Sequence, residues 1–114
     1  MPKQNLRSDA APAAVVDTVT RLGANIAAAR LRRRWSQEHL AAKAGITRPT
    51  ITRIEAGELG TGAGAYVAVL WAMGLHHPLA DIADLFHDSE GRTLEAARLP
   101  KRAHAPTRLI DDAF

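Results

Sequence analysis

Cysteine is absent from the 114 residues, so the chain has no disulfide framework, no thiolate nucleophile and no cysteine-ligated metal. Aromatic residues make up only 4%, too few for a platform that stacks nucleic-acid bases. No apolar run reaches the ~18 residues that would suggest a membrane span. The opening residues, from Met1 to Asp9, have no apolar stretch and do not read as a secretory signal. Sustained alternation of β-branched residues is missing, and with it any expectation of a sheet. There is no internal repeat, and no motif brings together a nucleophile, a base and a group to orient them. The sequence therefore supports no enzyme and calls for no cofactor. What is present is 46% hydrophobic residues, enough for a buried core. The expectation is one Ala-rich, all-α domain in a reducing cytoplasm.

The net charge of +3 hides a strong segregation. Residues 20–57 hold eight Arg and Lys against Glu38 and Glu55, a net of +6. Residues 58–90 carry five acids and no Arg or Lys, and residues 91–110 return to +4. A basic region is an electrostatic footprint for phosphate backbones, and it equally describes a solvated Arg-rich face. If the basic part meets nucleic acid, the acidic segment 58–90 should face away from it.

Residues 1–12 read as a loose arm with two prolines. Val15, Val19, Leu22 and Ile26 recur at helical spacing, and Ala27–Ala29 favour helix. Gly23 weakens the early part, which places the firm start near Thr20. Ser36 is a candidate cap for a second helix, from Gln37 to about Ala44, with Trp35 and Leu40 at the staple positions. Gly45 stops it. Thr47 caps a third helix with Pro49 in its first turn, and Gly57 ends it. A fourth helix, about Ala65–Met73, offers Val67, Leu70 and Trp71 as its buried stripe. A fifth opens at Pro78 and lines up Leu79, Ile82, Leu85 and Phe86. Beyond Asp88 only Thr93–Arg98 has helical potential. The chain thus divides into an arm (1–17), a domain (18–87) and a tail (88–114).

Helices two and three are short and joined by a tight turn at Gly45, with the small Ala41 four residues earlier. That is what a helix-turn-helix needs, because one helix crosses the other closely. Ile46, Ile51 and Ile54 would fix the third helix to the core. Its exposed face then offers Thr47, Arg48, Thr50, Thr52 and Arg53, whose hydroxyl and guanidinium groups can reach phosphates and base edges.

The unbroken run from Ser36 to Gly57, with its Ser-Gln, Leu-Ala, Gly-Ile-Thr, Ile-Thr and Ile-Glu steps, closely resembles the Xre family of Cro and lambda-repressor-like helix-turn-helix proteins. The likeness covers roughly residues 20–86. It implies a five-helix lambda-repressor-like domain and a transcriptional regulator, with double-stranded DNA as partner. By this resemblance Gln37 contacts the phosphate backbone, and Thr47, Arg48, Pro49, Thr50, Thr52 and Arg53 lie at the major groove. Glu55 is structural in the family and pairs with an arginine of the first helix, here Arg30. Pro49 departs from the polar residue common in relatives and removes one hydrogen-bonding base reader. Arg48 reads either a guanine or a phosphate. One recognition helix spans only a few base pairs, so a homodimeric repressor on a palindromic operator is expected. The Leu79, Ile82, Leu85 and Phe86 stripe is its candidate interface.

A second likeness is narrower. The segment from Ala65 to Leu75, followed by Arg98-Leu99-Pro100-Lys101-Arg102, is similar to HipB-like antitoxins, which bind HipA-like toxin kinases and repress their own operon. Other features carry less. His76 and His77 have no third ligand at metal spacing and read as a helix terminator, so no metal site is expected. His39 reads as a surface residue. Gly60–Gly64 follows no strand and lacks the Lys-Ser/Thr signature of a phosphate loop. Tyr66 and Trp71 are candidates for core or interface. Arg32–Arg34 are either a solvated helix end or a second phosphate contact.

Overall fold

Why α1 runs unbroken through Gly23 is explained by what lies against it. In the computed structural model, which describes residues 10–98, α1 spans Ala13–Arg32 and starts well before Thr20. A glycine costs a helix interior about 1 kcal/mol relative to alanine. Here that cost is offset by close approach. A Cβ on Gly23 would collide with the Ile54 carbonyl oxygen and lie 2.9 Å from the Gly57 amide nitrogen. Gly57 is matched to it: its φ is 75°, and a Cβ there would sit 2.7 Å from the Thr20 Cα. The two glycines let α1 press backbone to backbone against the end of the third helix.

All described residues in regular structure are helical. α2 (Gln37–Ala44) is capped by Ser36, whose side chain accepts from the His39 amide at 3.0 Å. It stops at Gly45, in the left-handed region at φ 74°. α3 (Arg48–Glu55) is capped by Thr47, with Pro49 in its first turn. α4 covers Ala63–Ala72. Ile26 and Ala29 of α1, Leu40 and Ala41 of α2, Ile51 and Ile54 of α3, and Tyr66, Val69 and Leu70 of α4 form one core with Met73. Ile51, Ile54 and Leu40 are wholly buried, each contributing roughly 1.5–3 kcal/mol of transfer free energy.

The buried side of α4 differs from the expected stripe. Tyr66, Val69 and Leu70 face the core, whereas Val67 is 41% and Trp71 58% exposed. Every residue of α4 is apolar or glycine, so periodicity does not select a face and only packing does.

The chain divides into two compact units, one ending at Ala80 and the other beginning at Asp81. The expected fifth helix from Pro78 is not α-helical. Two short 3₁₀ turns, His77–Asp81 and Leu85–His87, take its place. Ala83 between them has φ 70°, a left-handed conformation that no α-helix continues through. Asp84 draws the His87 amide to its own carboxylate at 2.9 Å, so the side chain competes with helical pairing. The Leu79, Ile82, Leu85 and Phe86 stripe therefore does not form. Leu79 packs on the core of the first unit, and the other three are exposed in the second.

The second unit has its own helix, α5 (Ser89–Arg98), longer than the expected Thr93–Arg98. Asp88 accounts for the extra turn, since its carboxylate accepts from the Gly91 amide at 2.9 Å, as a cap does. Arg92 donates to the Leu85 and Phe86 carbonyls and ties α5 to the preceding turn. Among the described residues, no helix is long and apolar enough to cross a membrane.

Candidate nucleic-acid interface

The turn between α2 and α3 is short because Gly45 reverses the chain and Ile46 re-enters the core edge. The Ile46 amide donates to the Ala41 carbonyl at 3.0 Å, closing the end of α2. Three residues after Gly45, α3 begins with Ile51 and Ile54 turned inward. At 3.6 residues per turn, Pro49, Thr52, Arg53 and Ala56 then point away from the core, and all four are exposed. A straight, exposed helix face standing on a rigid base is the geometry a major groove accepts.

A buried ion pair anchors this face. The Arg30 Nε donates to Glu55 Oε2 at 2.7 Å, and its Nη2 donates to Oε1 at 3.1 Å. The Nη1 donates to the Trp35 carbonyl at 2.8 Å, so the guanidinium ties together α1, α3 and the approach to α2. Hydrogen bonding to Glu55 raises the Arg30 pKa above its ordinary value; burial opposes it and the Glu55 charge assists. The pair forms as the family resemblance implies.

Gln37 extends the network. Its side-chain amide donates to Glu55 Oε1 at 3.0 Å, and its carbonyl accepts from the Thr52 hydroxyl at 3.3 Å. The first residue of α2 is thereby held against the outward face of α3. Arg48 borders an open cleft of about 400 Å³ together with Ser36, Gln37 and Glu38. The Arg48 guanidinium at its rim can pair with an anionic oxygen, while the Glu38 carboxylate on the same rim opposes one.

The remaining expected residues fall on the same side. Thr47 is committed to its capping role, and its hydroxyl lies 2.9 Å from that of Thr50. The Arg53 Nη2 donates to the Thr50 hydroxyl at 3.2 Å, and its Nε lies 3.4 Å from Glu58 Oε1. Pro49 has a free, exposed ring for apolar contact only.

A family model described as a helix-turn-helix domain matches residues 21–83. The chain belongs to this helix-turn-helix family. No curated protein and no solved structure matches it. The match covers more than half of the sequence and contains α2, the Gly45 turn and α3, so the basic outward face described above is that of a helix-turn-helix DNA-binding domain.

Two features escaped the sequence reading. Arg33 donates to the Ala29 and Met73 carbonyls at 2.9 and 3.3 Å, so it caps α1 and grips the end of α4. Of the Arg32–Arg34 run it is a structural member, and nothing in the run of three arginines signals which one would turn inward. Glu58 belongs to the acidic segment expected to face away from DNA, yet it lies against Arg53 of α3. His76 and His77 stack with ring centroids 4.1 Å apart. Among the described residues no group of three or more His, Asp or Glu is placed to hold a metal ion. Residues 99–102, on which the antitoxin likeness partly rests, lie outside the described residues, as do positions 1–9 of the arm.

Proposed function

We propose that this helix-turn-helix protein is a sequence-specific transcriptional regulator of the Xre type, acting as a repressor on a palindromic operator. The observation that carries the reading is the outward face of α3. It sets Arg48, Pro49, Thr52 and Arg53 on a helix seated by wholly buried Ile51 and Ile54, with Gln37 fastened beside it. In this reading α3 lies in the major groove. Gln37 and Arg48 bind the flanking phosphates, and Arg53 and the threonines meet base edges.

One α3 covers only a few base pairs, which is why a homodimer is proposed, presenting two copies to half-sites about 34 Å apart. The exposed Ile82, Leu85 and Phe86 supply apolar surface that a second copy would cover. A repressor acts in this scheme by occupying a promoter, its own being the first to test.

The experiment is a mobility shift with purified protein on its own upstream DNA, with random competitor, at two salt concentrations. Retention of a shifted band under competitor, weakening with salt, is the expected result. Binding that competitor removes entirely would reduce the basic face to a generic polyanion surface.

A further inference from the structure

We infer that Glu58 is a specificity-determining positioning residue, which aims the Arg53 guanidinium of the recognition helix at a base pair. This rests on the DNA-reading role proposed for α3 and deepens it. Arg53 leaves α3 on the exposed side and would, as an unrestrained side chain, reach equally for either phosphate strand or for the groove floor. It is restrained from two directions. Glu58 Oε1 lies 3.4 Å from its Nε, and the Thr50 hydroxyl accepts from its Nη2 at 3.2 Å. Contacts on Nε and on one hydrogen of Nη2 occupy the inner side of the planar group. The other edge, with one N–H from each terminal nitrogen, has no hydrogen-bond partner among the described residues and leaves a fork, the donor pattern that matches the N7 and O6 acceptors of guanine.

The pair is about half exposed and does little for stability; the effect proposed for it is on where the guanidinium is held. Orientation requires that the residue carrying the carboxylate be held in place, and the Glu58 backbone is. The Glu58 amide donates to the Arg53 carbonyl at 3.0 Å, and the Glu58 carbonyl accepts from the Tyr66 hydroxyl at 3.1 Å. Tyr66 is part of the core, so the loop is pinned to α4 through a buried ring. The Thr61 hydroxyl donates to the same Glu58 Oε1 at 3.3 Å. Gly57, at φ 75°, supplies the turn that brings Glu58 back over the end of α3. An acid at this place also repels phosphate. It therefore weakens indiscriminate backbone binding while holding the one cation that can read a base.

The test is selection of binding sites from a randomised duplex library by the wild-type protein, followed by Glu58→Gln, Arg53→Ala and the double variant. Affinities are measured on the selected duplex, on single-base variants of it and on a scrambled duplex. Glu58→Gln keeps an acceptor for Thr61 and its backbone bonds, and circular dichroism checks that it folds. The expected result is that Glu58→Gln binds the scrambled duplex more tightly yet loses discrimination, roughly five-fold, at one base pair. Arg53→Ala loses discrimination at the same base pair by ~10-fold or more. Adding Glu58→Gln to Arg53→Ala changes that base pair no further. If Glu58→Gln tightens all duplexes equally, or changes none, Glu58 is only a surface charge and the inference is overturned. If the wild-type protein enriches no sequence at all, the DNA-reading role of α3 fails first, and the two failures are told apart.

Discussion

Replacing Glu55 by alanine tests whether α3 is held by charge as well as by its two isoleucines. The carboxylate accepts two hydrogen bonds from Arg30 and one from Gln37, and the side chains of the ion pair are only 11% and 10% exposed. Without Glu55, Arg30 keeps only the Trp35 carbonyl and remains a buried cation with no counter-charge. Breaking one side of a buried pair costs about 3–5 kcal/mol. This domain is too small to have a deep interior, so the low end applies, about 3 kcal/mol. For a domain of this size that corresponds to a fall in Tm of roughly 10–20 °C. Urea unfolding followed by far-UV circular dichroism measures it directly. Removing both charges, with Arg30→Met and Glu55→Leu together, should recover most of the loss, to within about 1 kcal/mol of wild type, because no charge is then left unpaired. A Glu55→Ala protein destabilised by less than ~1 kcal/mol would refute the reasoning and make the pair a solvated one. A double variant as unstable as the single would show that shape, not charge, is what the site requires.

Gly23→Ala should destabilise the fold by roughly 2 kcal/mol or more, despite alanine's better helix propensity, because the new methyl meets the Ile54 carbonyl; chemical denaturation gives the sign at once. Ser36→Ala removes the cap on α2 and should cost about 1 kcal/mol, read in the same assay. His87 should titrate above 6.5 because Asp84 hydrogen bonds to its ring, and Asp84 below 3.8 because His87 donates to it. The raised histidine contributes stability that is full below 6.5 and lost as pH rises through its folded pKa. The depressed Asp84 contributes stability present above 3.8 and lost as pH falls through its own. The 3₁₀ turn Leu85–His87 should thus be firmest between those values. NMR titration of the His87 ring checks this, and Asp84→Asn should return the histidine toward its ordinary pKa.

The helix-turn-helix was legible in the sequence because its determinants are local. Ser36, Gly45, Thr47 and Pro49 act on backbone within a few residues of themselves, and the structure starts and stops α2 and α3 where those residues direct. Ile51 and Ile54 have clear helical spacing with polar neighbours, so their inward face needed no partner to be named. The Arg30–Glu55 pair was reached through family likeness; spacing alone would not have joined residues so far apart in the chain.

Other features were decided only by tertiary structure, and the reason is the same in each case. Gly23 reads as a weak point in the first helix until the Ile54 carbonyl and Gly57 are placed against it, when it becomes the residue that permits the contact. Along α4 no residue is charged or strongly polar, so only the surrounding helices determine that Val69 is buried and Trp71 is not. After Pro78 the apolar spacing is helical, but the left-handed Ala83 and the Asp84 side chain divert the backbone into two short turns. Glu58 counts as one more acid in an acidic segment until the turn at Gly57 carries it back to Arg53. Capping and periodicity are properties of neighbours in sequence, and the chain states them outright. Close approach, choice of face and the aim of a charged side chain depend on groups that only folding brings together.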